Sequence, residues 1–272
     1  MSSVLKHNLK YGTILLLIFG LLWGIFALIP WGALFSGVAD VSISIDQEEK
    51  LGKVLVEDVM EAGEGSQQLL HNPTLDSAMN EINSRLLTSL GPTDYNYKIQ
   101  VINKEEVNAF TLPGGYIFVN KGLIKFCDSP EEVAAVLAHE IGHAEKRHVI
   151  DKLAKELGIT ILFSVLSGGD ATLLHEVFKS ATSTMFDREQ EKEADAFSFA
   201  LMEKAHLNPQ TMAVFFRKLT RKHGDAGEAM ELLQTHPNNA SRIQAALEYK
   251  PATKFTTENF KLDWKRIQRS VQ

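Results

Sequence analysis

Hydrophobic and polar positions along the chain fall into three patterns. Residues 13–35, TILLLIFGLLWGIFALIPWGALF, are apolar almost throughout, and no Lys, Arg, Asp or Glu occurs between positions 11 and 39. A helix of that length spans the ~30 Å hydrocarbon layer of a membrane. A helical period follows in QEEKLGKVLVEDVMEA (47–62), where Leu51, Leu55 and Val59 share one face. A second helix is predicted from Thr74 or Leu75 to Leu90, closed by Gly91-Pro92. Alternation at period two marks YNYKIQVI (95–102) as a strand. NAFTLPGGYIFVN (108–120) then reads as two short strands turning at Pro113-Gly114-Gly115.

The helical period returns at a well-marked start. Ser129 is an N-cap, Pro130 suits the first helical position, and Glu132 stands where the partner of a capping box belongs. This helix is expected to continue through about Lys155 and stop at Gly158. Residues 159–167, ITILFSVLS, are too short to cross a bilayer. They read as core, or as part of a flap over 159–186 hinged at Gly168-Gly169. Further helices are predicted over 172–205, 210–222 and 240–248. The polar tail, basic at Lys261, Lys265, Arg266 and Arg269, reads as a solvated final helix or extension. The chain thus divides into a stub (1–12), an apolar span (13–35), a body (40–250) and the extension (251–272).

Composition sharpens this picture. With 272 residues, 44% hydrophobic and 23% charged, the chain can bury a sizeable core and is not a disordered polymer. One cysteine, Cys127, excludes an internal disulfide and a cysteine-built metal site. Setting Lys6 and Lys10 aside leaves 26 of the 28 basic side chains against 34 acidic ones, so the remainder carries −8. Such a surface lacks the basic footprint of a nucleic-acid partner. Two lysines precede the apolar span while Asp40, Asp46, Glu48 and Glu49 follow it, which places the N-terminus in the cytoplasm and the body outside. A cleaved signal peptide is the competing reading, but its apolar core is ~7–15 residues, shorter than the run here. The expectation is an uncleaved anchor in a bacterial inner membrane, single-pass, with the body in the periplasm.

The chemistry lies in the capped helix, as His139-Glu140-Ile141-Gly142-His143. Two histidines four apart share a helical face, so both imidazoles reach one tetrahedral ion, and Glu140 beside the first is placed to take a proton from water there. The apolar flanks VAAVLA and Ile141-Gly142 suit a helix threaded through a core rather than a surface helix with incidental histidines. A third protein ligand is required. The candidates are Glu189, Glu191 and Glu193 in REQEKEADAF. Glu191 shares a face with Asp195, so one can bind metal while the other orients a ligand histidine; this favours Glu191. His148 is nine residues beyond His139 on the same predicted helix and points away from that ligand, towards a solvated or capping role.

HEIGH, the downstream E-x-x-A-D of Glu191 to Asp195, NAFTLPGG, and a later Thr235-His236-Pro237 with Arg242 occur in one order. Over roughly residues 47–250 the chain resembles the gluzincin-type zinc metallopeptidase family that includes HtpX, BepA, LoiP and the type I CAAX prenyl proteases. The resemblance implies an α+β, mostly helical zincin-like fold with a small antiparallel sheet beside the HEIGH helix, here with one N-terminal transmembrane helix. It implies His139, His143 and Glu191 as ligands of one zinc per chain, with Glu140 as general base. Asn108, Gly114, Gly115 and Tyr116 resemble the edge strand above a substrate cleft, where an extended polypeptide adds by main-chain pairing; the other reading is a structural hairpin. His236 resembles the family's donor to a developing oxyanion, or else it caps the helix that follows; Arg242 belongs to the same element. Unlike the multi-spanning HtpX and prenyl proteases, this chain has one apolar span, which implies cleavage of misfolded or envelope proteins by a membrane-anchored zinc endopeptidase. The rival is a latent or inactive member that binds unfolded chains without turnover.

Overall fold

The computed structural model describes residues 14, 18–21, 23–24, 42–61, 69–181, 186–222, 236 and 239–272. The chain divides into two units, residues 1–42 and 43–272. In the first, Ile14, Phe19, Leu21 and Trp23 are helical and exposed; most of the predicted span 13–35 lies outside the described residues. Among the described residues, no helix is long and apolar enough to cross a membrane.

The second unit is mostly helical around a three-stranded sheet. In order come α1 (Ile45–Glu61), α2 (Pro73–Leu90), β1 (Lys98–Ile102), β2 (Ala109–Leu112), β3 (Tyr116–Asn120) and the short α3 (Lys121–Phe126). Then follow α4 (Pro130–Glu145), α5 (His148–Leu157), α6 (Ile159–Leu166), α7 (Thr172–Ala181) and α8 (Arg188–Lys204). The described helices end with α9 (Thr211–Lys222), α10 (Asn239–Glu248) and α11 (Trp264–Ser270). Helix α2 starts as a Pro at its first turn requires, with Asn72 accepting from the Leu75 N–H at 2.9 Å.

The sheet corrects one expectation. Its order is β1-β3-β2, with β1 parallel and β2 antiparallel to β3, so it is mixed rather than antiparallel. Strand β3 returns between the other two and is buried on both faces. Ile117 and Val119 enter one apolar cluster with α2, α4, α8 and α9, whereas Tyr116 and Phe118 enter a second with α1, α5, α6 and α7. Alternation identifies β1 and the Pro113-Gly114-Gly115 turn identifies β2 and β3, but neither carries information on strand order.

Helix α4 runs between these layers, buried from Glu132 to Ala144. It ends earlier than its pattern suggests: Arg147 takes a left-handed φ of 60°, and α5 begins anew at His148. Arg147 is held there by Glu48 of α1, 2.6 Å from its Nε, and by the Ile43 carbonyl. The predicted capping box at Ser129 is not made, because Glu132 is committed elsewhere. Its carboxylate accepts from the Asp128 N–H at 3.1 Å and pairs with Lys218 of α9 at 2.5 Å. The single helix predicted over 172–205 is two helices, α7 and α8, the second opened by a capping box of Asp187 and Gln190. The tail does end in a helix, α11, but it is not solvated throughout, since Trp264, Ile267 and Val271 are buried in the first cluster and Trp264 Nε1 donates to the Cys127 carbonyl at 2.7 Å. On α1, Leu51 and Leu55 are buried as expected, while the Val59 side chain lies outside the described residues.

Helix α4 meets α8 at Gly142. A Cβ added there would lie 3.0 Å from the Ala194 carbonyl oxygen and 3.2 Å from its Cα. Replacing Gly142 by Leu therefore forces the two helices apart, at an expected cost of about 1–3 kcal/mol in unfolding free energy. A denaturant midpoint equal to that of the wild type would refute the close approach.

Candidate metal centre

The α4–α8 contact brings four titratable side chains together inside the protein. His139 and His143 project from α4, Glu191 from α8, and His236 from the segment before α10; all four are buried. One donor atom from each lies within 4.8 Å of the other three. His139 Nε2 and His143 Nε2 are 3.0 Å apart, and Glu191 reaches them at 3.6 and 3.3 Å. Two imidazole lone pairs and a carboxylate aimed at one point form a donor set suited to zinc, which takes histidine nitrogen and glutamate oxygen tetrahedrally. The residues fit that ion without any thiolate, in keeping with the single buried Cys127.

Around this cluster the charges are arranged in a fixed order. Asp195, one turn beyond Glu191, lies 2.9 Å from His139 Nδ1, the orienting contact expected from the E-x-x-A-D spacing. Arg242 of α10 grips Asp195 with Nε at 2.8 Å and Nη2 at 2.7 Å, and its Nη1 lies 2.8 Å from Glu191. Its guanidinium also stacks 4.2 Å over the Phe216 ring. Burial alone would raise both carboxyl pKa values. The neighbouring His236 and Arg242 charges outweigh it at Glu191 and hold that group well below its usual range. At Asp195 burial is likewise outweighed, chiefly by Arg242, and the pKa falls to about 2. Desolvation drives His143 well below the ordinary histidine value, which keeps its imidazole neutral. His236 moves the other way: burial opposes its protonation, but Glu191 raises its pKa.

Glu140 is held by a residue the sequence pattern did not single out. The Thr111 hydroxyl of β2 lies 2.8 Å from Glu140 Oε2 and 3.0 Å from its carbonyl oxygen. Among the described residues, the other carboxylate oxygen, Oε1, is buried without a hydrogen-bond partner. A cavity of about 10 Å³ opens beside Glu140, His139 and His236, room for about one water molecule. His236 sits in the cluster, with Nδ1 2.7 Å from Glu191 and Nε2 3.6 Å from Glu140 Oε1. Thr235 and Pro237 lie outside the described residues.

Other expectations resolve differently. Glu193 is not in the cluster; its half-exposed carboxylate pairs with His148 at 3.3 Å. His148 is buried rather than solvated, because the Arg147 bend ends the predicted continuous helix. Of the segment read as a flap, α6 and α7 bury Leu162, Val165 and Leu174 in the cluster shared with α1. Phe186, at its end, stacks on the His143 ring with centroids 4.0 Å apart. Asn108, Gly114, Gly115 and Tyr116 are brought together at the hairpin, and Gly114 lines a small cavity together with His143. Gly114 has a φ of 77° and sits where a Cβ would be 2.4 Å from the Glu49 Cα, so the turn is docked on α1. Tyr116 belongs to the central strand, whose two edges are both paired, so no peptide can add there. Among the described residues the outer edges are those of β1, which Leu69 bridges at Ile102, and of β2, the strand that carries Thr111.

The model of peptidase family M48 matches residues 73–250. The mitochondrial metalloendopeptidase OMA1 of Schizosaccharomyces pombe is 28% identical over 233 residues, covering 83% of this chain and 68% of the relative. The beta-barrel assembly-enhancing protease of Escherichia coli is 27% identical over 242 residues, covering 82% of this chain and 49% of the relative. The Arabidopsis thaliana OMA1 is 35% identical over 155 residues, covering 54% and 30%. The chain thus spans about half the length of the bacterial relative.

Two measurements test the charge arrangement. Arg242→Leu leaves Asp195 buried without its main counter-charge and Glu191 without one of its two, and is expected to cost about 3–5 kcal/mol of stability; a loss below about 1 kcal/mol would show that Arg242 does not balance them. Because the folded Asp195 pKa lies below its unfolded value of 3.8, its contribution is fully present above that value and is lost as pH falls towards about 2. In metal-free protein, Asp195→Asn is therefore expected to flatten the fall of stability across that window. An unchanged acid profile in the variant would exclude the assignment.

Proposed function

Because the chain belongs to peptidase family M48, a family of zinc-dependent metallopeptidases, we propose that it is a membrane-anchored zinc endopeptidase that cleaves misfolded or envelope proteins. The observation that carries the reading is the convergence of His139, His143 and Glu191 on one buried point, with Glu140 beside it. In this reading those three residues hold the zinc. When bound there, zinc supplies Lewis-acid polarisation of the scissile carbonyl and lowers the pKa of water at the site. Glu140 receives the proton at Oε1, the carboxylate oxygen left free while Thr111 fixes Oε2, and passes it to the departing amine. Asp195 holds His139 in the tautomer that leaves Nε2 unprotonated, and Arg242 keeps Asp195 in place.

His236 has two positions to fill in this account. A catalytic zinc keeps one corner open, and His236 offers a fourth donor to the same point. With His236 in the cluster, the site is closed to substrate. Withdrawn from Glu191, its N–H is free to donate to the developing oxyanion. Substrate in extended form pairs with the unpaired edge of β2, whose Thr111 leads directly to Glu140, and main-chain pairing makes affinity largely independent of sequence.

The apolar residues 13–35 serve as the anchor, with Lys6 and Lys10 retained in the cytoplasm and the body on the periplasmic side of a bacterial inner membrane. Purified protein is expected to hold about one zinc per chain and to digest casein, an unfolded chain. Glu140→Gln should keep the metal and lose about 10²–10⁴-fold in rate. Full casein turnover by that variant would sink the mechanism, and a body that stays soluble with residues 1–40 intact would sink the anchor.

A further inference from the structure

Each histidine of the motif has a second ring nitrogen whose partner decides what the first can do. His139 presents Nδ1 to Asp195 at 2.9 Å. Among the described residues, His143 has no carboxylate at the equivalent place. Its Nδ1 faces Nδ1 of His148 at 3.0 Å, and His148 Nε2 lies 3.3 Å from Glu193 Oε2. His148 is 3% exposed, whereas the Glu193 side chain is 50% exposed, so this series of contacts runs from the cluster to solvent.

The proton order follows from valence. Two ring nitrogens at hydrogen-bond distance share one proton. If His143 is to keep a lone pair on Nε2, its own proton sits on Nδ1 and is donated to Nδ1 of His148. His148 then carries its proton on Nε2 and donates it to Glu193. No other assignment satisfies both contacts while leaving His143 Nε2 free.

The backbone is bent to make this possible. In a straight α-helix, a residue five positions on is rotated by about 140° and cannot meet its predecessor's ring. The left-handed Arg147 breaks α4 one residue before His148 and swings that ring back onto His143. A non-glycine residue in that region is uncommon and is kept only where its surroundings hold it. Here Glu48 and the Ile43 carbonyl hold Arg147. Phe186, stacked on the His143 ring, closes the same side from solvent.

We propose that His148, anchored on Glu193, is the positioning residue of His143, fixing its tautomer and ring rotation so that Nε2 remains a metal donor. The inference rests on the zinc reading above. It also gives Glu193 a role, at the outer end of the series rather than at the metal.

The test uses the full chain, purified in detergent and loaded with zinc, with affinity read by competition against a chromogenic chelator. His148→Asn puts an amide oxygen where Nδ1 stands and still accepts from His143. His148→Gln puts its amide where Nε2 stands and leaves His143 without an acceptor. Loss of such an outer partner costs 10- to 100-fold in metal affinity. His148→Gln is expected to fall by about that factor, with His148→Asn close to wild type and Glu193→Gln between them. With cobalt in place of zinc, the visible ligand-field bands should shift in His148→Gln and return in His148→Asn. Equal zinc affinity in His148→Gln and wild type would overturn the proposal, as would an Asn variant no better than Gln, which marks a space-filling role. Should His148→Gln fail to fold, Glu193→Gln carries the test, and unchanged affinity there overturns it. A wild-type chain that binds no zinc overturns the metal reading itself and this inference with it.

Discussion

The approach of α4 to α8 at Gly142 is the contact on which everything at the centre depends. His139 and His143 flank it on one helix, and Glu191 and Asp195 flank it on the other. A side chain at position 142 would widen the gap and separate the histidines from the carboxylates. The small residue is therefore part of the donor geometry, though it offers no donor. The apolar surroundings that allow this packing also set the electrostatics. Two carboxylates inside a core are tolerable only with a counter-charge, and Arg242 serves both.

Much of this was legible in the chain. HEIGH has a spacing that only a helix turns into chemistry, and the i, i+4 relation of Glu191 and Asp195 separated the buried carboxylate from its exposed neighbours Glu189 and Glu193. Those signals are local, within one turn of one element. The strands are legible for the same reason, β1 by alternation over a few residues and β2 and β3 by the Pro113-Gly114-Gly115 turn between them.

What escaped was non-local or depended on single backbone angles. Strand order hides from alternation, so β3 looked like an edge when it is the middle. Glu132 looked like a capping partner until Lys218, 86 positions away, claimed it. The left-handed turn at Arg147 has no glycine or asparagine to announce it, because it is imposed by Glu48, 99 positions earlier. Without that turn, the pattern puts His148 on the far side of a helix that does not continue. Thr111 sat inside a recognised segment, yet its tie to Glu140 depends on how β2 lies against α4.

Arg242 lies 103 positions beyond His139, and 47 beyond Asp195. During synthesis, the motif helix and both carboxylates therefore leave the ribosome long before the cation that neutralises them. Until residue 242 has emerged, burying Glu191 and Asp195 is unfavourable, and α8 has little reason to dock its charged face on α4. The fold thus carries its own timing: a nascent chain exposes a hydrolase motif but cannot close the centre around it. The centre can therefore take its charge-balanced form only when the body is nearly complete.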